Sequence, residues 1–231
     1  MIKQTSLIQR SINNYKIIKL KMTLTEHLNK RYASKLMNGT SIDEQKFQNI
    51  LEAIRLAPTS YGLQPFSVIV IKKQEIKDLI FEKAAQGQPQ IPTCSHLLLF
   101  AANRRLTSEM LDDYLSLIKN TRDLPAEKLA SFRTHIDKLL LRSDEANFDW
   151  ASHQAYIALG FGLVAAAVEM VDSVPIEGFD KKILDELLQL GSKNLGSVCM
   201  LALGNRDEEK DYNAKLPKVR KSKENMFFEL N

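Results

Sequence analysis

An α+β fold is predicted for this 231-residue chain by three observations. Strand-like apolar runs and helical periods are interspersed without a strict βαβ repeat. No internal repeat divides the sequence, and no Pro/Gly/Ser-rich linker is long enough to separate two domains. Hydrophobic residues make up 44% and charged residues 26%, the balance of one globular unit large enough to bury a core.

Along the chain, Thr25 opens a short helix that runs through His27 and Leu28 into a basic cluster, Arg31 to Lys35. Ser41-Ile42-Asp43-Glu44 has the form of a capping box, and Phe47, Ile50, Leu51 and Ile54 follow at helical spacing. Pro58 ends that helix. Thr59 to Pro65 is a Gly/Pro-punctuated loop, and Phe66–Ile71 reads as a strand. A helix from about Gln74 to Ala85 leads into the amide-rich loop Gln86 to Gln90, and His96–Ala102 reads as a buried strand. Two polar helices are expected near Ser108–Lys119 and Ala126–Leu141, with Pro125 suited to a helix start. Phe148 to Val171 is expected to be a central helix buried on all sides, because it is apolar all round. Its uninterrupted apolar run of 14 residues is shorter than a bilayer span. Its small residues suit close packing, including packing across a dimer interface. Val174 to Phe179 reads as a rigid turn, Lys181–Gln189 as a helix and Ser197–Leu203 as a strand. Beyond Gly204 the tail is polar.

Charge and cysteine narrow the function classes. The net charge is +4, yet residues 1–21 hold Lys3, Arg10, Lys16, Lys19 and Lys21 with no acid. The remaining 27 basic and 28 acidic residues leave a body near neutrality, without the basic footprint of a duplex-binding protein. Cys94 and Cys199 have no metal-ligand spacing and sit in or beside apolar runs, so inert core thiols in a reducing, cytoplasmic compartment are expected. Residues 1–22 lack the continuous apolar segment of a secretory signal and are read as a disordered extension, with the folded domain over 23–231.

Neither G-x-G-x-x-G after a strand, nor a P-loop, nor G-x-S-x-G occurs. His27, His96, His135 and His153 have no metal spacing, and His96 and His153 are expected to be satisfied structural groups. No side chain is therefore assigned as catalytic, and no metal is expected. Redox activity would need a bound cofactor.

Four segments resemble the FMN-dependent nitroreductase family, and the resemblance runs from about His27 to the end of the chain. They are Arg31-Tyr32-Ala33-Ser34-Lys35, Pro58-Thr59-Ser60-Tyr61-Gly62-Leu63-Gln64-Pro65-Phe66, Val174-Pro175-Ile176-Glu177-Gly178-Phe179 and Leu216-Pro217-Lys218-Val219-Arg220. The resemblance is to the oxygen-insensitive nitroreductase and dihydropteridine reductase subgroup. It implies a nitroreductase-like fold, a central mainly antiparallel sheet surrounded by helices, working as a homodimer with FMN at the interface.

By that resemblance, Arg31, Tyr32, Ala33 and Lys35 grip FMN. Arg31 meets the phosphate or ribityl side, and Lys35 meets the pyrimidine edge and the substrate. Thr59, Ser60 and Gly62 contact the flavin of the other subunit, with Tyr61 on the nicotinamide and substrate side. Pro175, Ile176, Glu177 and Gly178 line the isoalloxazine, Glu177 through its backbone N–H, while Lys218 and Arg220 clamp the phosphate. Many relatives carry Asn and Lys before the strand that starts here at His96. This chain offers Gln88 and Gln90 instead, so the second cation is missing.

The function so implied is reduction of nitroaromatic, quinone or similar electron-poor small molecules by NAD(P)H, in a ping-pong hydride transfer. No nucleic acid or membrane partner is expected. Alternatives are a different flavin reaction on the same fold, with Ser108–Arg142 as a lid, or a non-catalytic flavin-binding protein. Nucleic-acid binding through the basic extension is a further alternative.

Overall fold

The computed structural model describes residues 22–230; the expected disordered extension, Met22 apart, lies outside them. Thr23 caps α1 (Leu24–Lys30) in a reciprocal capping box with Glu26. Asp43 caps α2 (Glu44–Arg55), taking the place expected for Ser41, because its side chain accepts the Lys46 N–H. A single 3₁₀ turn over Ser60–Gly62 precedes β1 (Phe66–Ile71). Then come α3 (Gln74–Ala84), a four-residue helical turn at Gln90–Thr93, and β2 (His96–Asn103). The polar pair is α4 (Ser108–Arg122) and α5 (Ala126–Ile136), followed by a 3₁₀ stretch, Asp137–Leu141. The long helix α6 (Asp144–Val168) leads to β3 (Asp172–Ile176), α7 (Lys181–Leu187) and β4 (Leu195–Gly204).

The four strands form one antiparallel sheet in the order β1-β2-β4-β3. The two central strands are buried almost throughout, which is why both read as continuous apolar runs. Strand alternation divides their side chains between two cores. Leu98, Phe100, Ala102, Leu201 and Leu203 meet Phe47, Ile50 and Ile54 of α2 and Ala151, Ala155 and Ala158 of α6. Leu97, Leu99, Ala101, Met200 and Ala202 face the other way, toward Ile80 of α3 and Leu184 of α7. Three layers result, helices on both faces of the sheet.

Two expectations need correction. The Val174–Phe179 segment is not wholly a turn: through Ile176 it is the edge strand β3, where Pro175 is tolerated because an edge residue can forgo a ladder N–H. Nor is the long helix buried all round. It has 25 residues, is long and apolar enough by length and composition to cross a bilayer, and packs one side on α2 and the sheet. Its other side leaves Ile157 (41% exposed), Phe161 (41%), Val164 (38%) and Val168 (43%) uncovered. The sheet and α2 cover only one helix side, so uniform apolarity there does not mean uniform burial.

The packed side of α6 has no spare room at Gly162. A Cβ there would stand 3.0 Å from Ile54 Cγ1 and 3.1 Å from Leu201 Cδ2. Gly162→Leu should therefore overpack the α2–α6–sheet junction and cost about 1–3 kcal/mol. A thermal melt should show Tm several degrees lower; an unchanged Tm would contradict this packing.

Candidate functional site

The basic cluster does not lie on a helix as the sequence suggests. The last helical residue of α1 is Lys30, and Arg31 is already extended (φ −66°, ψ 129°). The segment then runs beside the chain after β4: Asn38 N–H donates to Asn205 O, and Asp207 N–H to Leu36 O. Met37 and Arg206 form a β-bridge. In extended backbone, Arg31 and Lys35 are not stacked as helical i,i+4 neighbours.

Two carboxylates hold this arrangement. Asp172 on β3 accepts the Arg206 N–H at 2.8 Å and its Nε at 2.8 Å, and the Arg206 guanidinium lies 4.4 Å over the Tyr32 ring. Asp211, only 4% exposed, takes the Tyr32 hydroxyl at 2.8 Å and the Lys35 N–H at 3.2 Å on one oxygen. Its other oxygen takes the Asn213 N–H at 3.0 Å. Burial opposes ionisation of Asp211. The nearby Ser34 hydroxyl and hydrogen bonds from the Asn213 N–H, Tyr32 and the Lys35 N–H outweigh it and hold the carboxyl below its usual range. Burial also pushes the Tyr32 phenol up to about 12, and its bond to Asp211 adds to this.

The tail thus tied down brings Lys218 and Arg220 to Arg31, Tyr32 and Ala33 around a cavity of about 400 Å³. Lys218 Nζ donates to Leu28 O at 2.7 Å and also to Arg31 O, the carbonyls at the end of α1. Arg31 donates to Ser173 O at 3.2 Å. Burial lowers the pKa of Arg31, with Arg220 adding to the effect and Asp172 opposing it. Burial likewise lowers Lys218, helped by Arg31 and Arg220. These cations repel one another, which is the electrostatic condition of an anion site. The Lys35 ammonium is half-buried and has no hydrogen-bond or ion-pair partner among the described residues.

At the end of β3 the turn is met by the amide-rich loop. Gln88 Nε2 donates to Gly178 O at 3.0 Å, and Gln90 Nε2 donates to Gln88 Oε1 at 2.6 Å. A Cβ on Gly178 would come within 2.5 Å of Gln88 Nε2, so a larger residue there would displace that amide from the Gly178 carbonyl. Gln90 is fully buried, and its Oε1 has no partner. Pro175, Glu177 and Gly178 are exposed, while Ile176 points into the core. Burial pushes the Tyr156 hydroxyl of α6 well up, and the nearby Glu177 carboxylate adds to this.

Thr59, Ser60, Tyr61 and Gly62 do not join either group within the chain. Tyr61 and Gly62 line a separate cavity with Tyr114 and Phe132. Ser60 N–H is held by Gln154 Oε1 at 2.8 Å, and Thr59 Oγ1 accepts the Gln64 N–H at 3.1 Å.

Sequence reasoning missed Asp172, Asp211, Gln154 and Tyr156. The two cysteines are buried as expected. Burial pushes Cys94 up to about 11 and Cys199 up to about 12, which leaves both thiols protonated near neutrality. His96 is buried but only half satisfied: Nδ1 is 2.8 Å from Ser95 Oγ, and Nε2 has no partner. His153 is exposed rather than structural.

Asp211→Asn keeps the shape but places an amide against N–H and O–H donors. It should cost about 1–3 kcal/mol. The native carboxyl has a lowered pKa, so its stabilisation is full above the usual carboxylate value near 4 and is lost as pH falls through the lowered one. Melts between about pH 2 and pH 7 should show a steeper acid loss of Tm in the natural chain than in Asp211→Asn. Parallel profiles would remove Asp211 as the tie.

Three comparisons bear on this site. Residues 28–205 match the model of the nitroreductase family. A candidate NAD(P)H nitroreductase of Staphylococcus saprophyticus is 34% identical over 205 residues, covering 82% of this chain and 91% of that protein. YfkO of Bacillus subtilis, named in the same way, is 34% identical over 201 residues, covering 81% and 90%. Among solved structures, ydfN of B. subtilis superposes with a TM-score of 0.78 at 20% identity, over 89% of this chain and 98% of its own. A nitroreductase-named protein of Exiguobacterium sibiricum, solved with FMN, gives a TM-score of 0.75 at 19% identity, over 90% and 98%. At such identities the structures bear on fold, and the antiparallel sheet between helix layers agrees with them. The fold, the family-model match and the relatives at one-third identity converge, and the chain belongs to the nitroreductase family.

Proposed function

We propose that this chain is an FMN-dependent oxidoreductase that uses NAD(P)H to reduce nitroaromatic, quinone or similar electron-poor small molecules, working as a homodimer in a ping-pong cycle. The observation that carries the reading is the convergence of Arg31, Lys218 and Arg220, from opposite ends of the domain, on one cavity, where burial and the neighbouring cations lower the basicity of Arg31 and Lys218. A phosphate relieves that repulsion, so the donor set fits the phosphate end of FMN. The ring end fits as well. The exposed Glu177–Gly178 turn offers its backbone to a flat ligand, and the amide loop that meets it holds an unpartnered buried acceptor, Gln90 Oε1.

Bound there, FMN would supply the hydride-carrying chemistry that none of these side chains has. The chain's own residues bind and orient. Arg31, Lys218 and Arg220 hold the phosphate. Tyr32, locked to Asp211, and Ala33 shape the wall, and the unpaired Lys35 favours negative charge on the pyrimidine edge. Pro175, Ile176, Glu177 and Gly178 present backbone to the ring, with the Glu177 N–H as donor. Gln88 holds the Gly178 carbonyl and is the positioning partner of that turn.

Thr59, Ser60 and Gly62 stand apart from these groups, so they reach a flavin only across two copies of the chain. The uncovered Ile157, Phe161, Val164 and Val168 recur at spacings of four, three and four, forming a continuous apolar stripe suited to a second copy. The buried free thiols are in keeping with a reducing compartment, and the cytoplasm is the place we assign.

Initial rates with NADPH or NADH at several fixed menadione concentrations should give parallel double-reciprocal lines, the signature of ping-pong turnover. The Lys218→Ala/Arg220→Ala double variant should purify folded but with little flavin and correspondingly little rate. Full flavin retention would refute the clamp.

Phe161→Glu puts a charge in the middle of the apolar stripe. By sedimentation it should shift the protein from dimer toward monomer and lower FMN occupancy with it. A dimer unaffected by the substitution would move the interface elsewhere.

A further inference from the structure

The cavity that holds Tyr61 has a composition the proposed activity does not use. It measures about 320 Å³ and lies between the Tyr61–Gly62 turn and the α4–α5 pair. Its inner lining is apolar: Ile118 is buried, and Leu124, Leu129 and Phe132 are half-buried. Tyr61 stands edge-on to Phe132 at 6.4 Å and to His135 at 5.8 Å, so one wall is aromatic.

The wall is fixed in place. Tyr61 is held at φ 59°, a left-handed conformation that costs a bulky residue strain. Tyr114 OH donates to the Tyr61 carbonyl at 2.6 Å, and a Cβ on Gly62 would fall 2.5 Å from that hydroxyl oxygen. The turn is thus latched to α4, which aims Tyr61 into the cavity.

Two cations stand at its mouth. Arg122 is the last residue of α4 and Lys128 lies in the first turn of α5; both are exposed and line the cavity. Neither has a hydrogen-bond or ion-pair partner among the described residues. The same helix pair shows the contrast in Arg133, which is engaged by Asp112, Asp137 and Ser108. The acidic neighbours Asp123 and Glu127 do not line the cavity. Arg122 is close enough to Tyr114 to oppose the upward push of burial on that phenol. A small apolar slot with an aromatic wall and two unpaired cations suits one or two fused rings bearing an anion.

We infer that Arg122 and Lys128 select the electron acceptor, and that the preferred acceptor is a small aromatic or quinonoid molecule carrying a carboxylate or similar anion. The inference rests on the oxidoreductase reading, which places Tyr61 on the substrate side. For a nitroaromatic acid the two-electron step balances as nitro acid, NAD(P)H and a proton giving nitroso acid, NAD(P)⁺ and water. The nitro group loses one oxygen, the nicotinamide is oxidised, and the carboxylate is unchanged.

The test compares 4-nitrobenzoate with its neutral analogue 4-nitrobenzamide, using the flavin-loaded protein. The expected kcat/KM ratio favours the acid about tenfold, the scale of two partly screened charge contacts. In Arg122→Gln/Lys128→Gln that ratio should fall to near one, and in Arg122→Glu/Lys128→Glu it should invert. Calorimetric titration of the acid should weaken in parallel, a readout that needs no turnover. Both positions are exposed, and flavin content with circular dichroism checks folding.

Equal kcat/KM for acid and amide in the natural chain would overturn the inference alone. So would a loss confined to the KM for NADPH, which would assign the cations to the nucleotide's phosphates. A protein whose flavin is not reduced by either nucleotide would remove the oxidoreductase reading, and the inference with it.

Discussion

The Asp211 carboxylate is the constraint on which the rest of the site depends. It is buried, ionised, and bonded to both the Tyr32–Lys35 segment and the start of the C-terminal tail. Arg31, Lys218 and Arg220 repel one another, so nothing in their own chemistry brings them to one cavity. An internal anion on the adjacent backbone does so without neutralising them by direct pairing, whereas Asp172 fixes Arg206 by pairing with it directly. The protein thereby stores positive potential at the place where a phosphate would release it. Lys218 adds a mechanical link by closing onto the last carbonyls of α1, so the clamp also fixes where that helix ends.

The sheet explains why these pieces meet where they do. Its two central strands are buried on both faces, which confines ligand-facing groups to edges and connections. β3 is an edge strand beside β4. The chain leaving β4 returns past Asp172 on β3, while β3 itself runs out into the Glu177–Gly178 turn. The residues proposed to face the phosphate and those proposed to face the ring are therefore at opposite ends of one five-residue strand, about 17 Å long. That is a fitting separation for an extended flavin nucleotide.

The sequence carried much of this and left out a definable part. The buried strands and the bodies of the helices are local features that periodicity reports, while the caps fall at Thr23, Asp43 and Ser143, a few residues from the starts read at Thr25, Ser41 and Phe148. Pro175-Ile176-Glu177-Gly178 and Lys218-Val219-Arg220 were legible as motifs because their spacing is contiguous. What was not legible is long-range and polar. Asp211 finds Tyr32 across 179 positions, and Gln154 finds Ser60 across 94, with no period or composition to announce either pairing. Arg31–Lys35 was misread as helical because Lys and Arg suit a helix end equally well. Only the pairing of that segment with residues 205–207 makes it extended. The exposed stripe on α6 was hidden for the opposite reason: apolarity on every side of a helix does not say which side the sheet will leave open.

The account stands most directly on whether the purified protein carries a flavin that nicotinamide can reduce. The measurement is a visible absorption spectrum, followed by anaerobic addition of NADPH and, separately, NADH. The account predicts flavin bands, retained or taken up on adding FMN, that bleach with at least one nucleotide and return when menadione is admitted. A colourless protein that takes up no FMN, or flavin bands that persist in excess of both nucleotides, would contradict it.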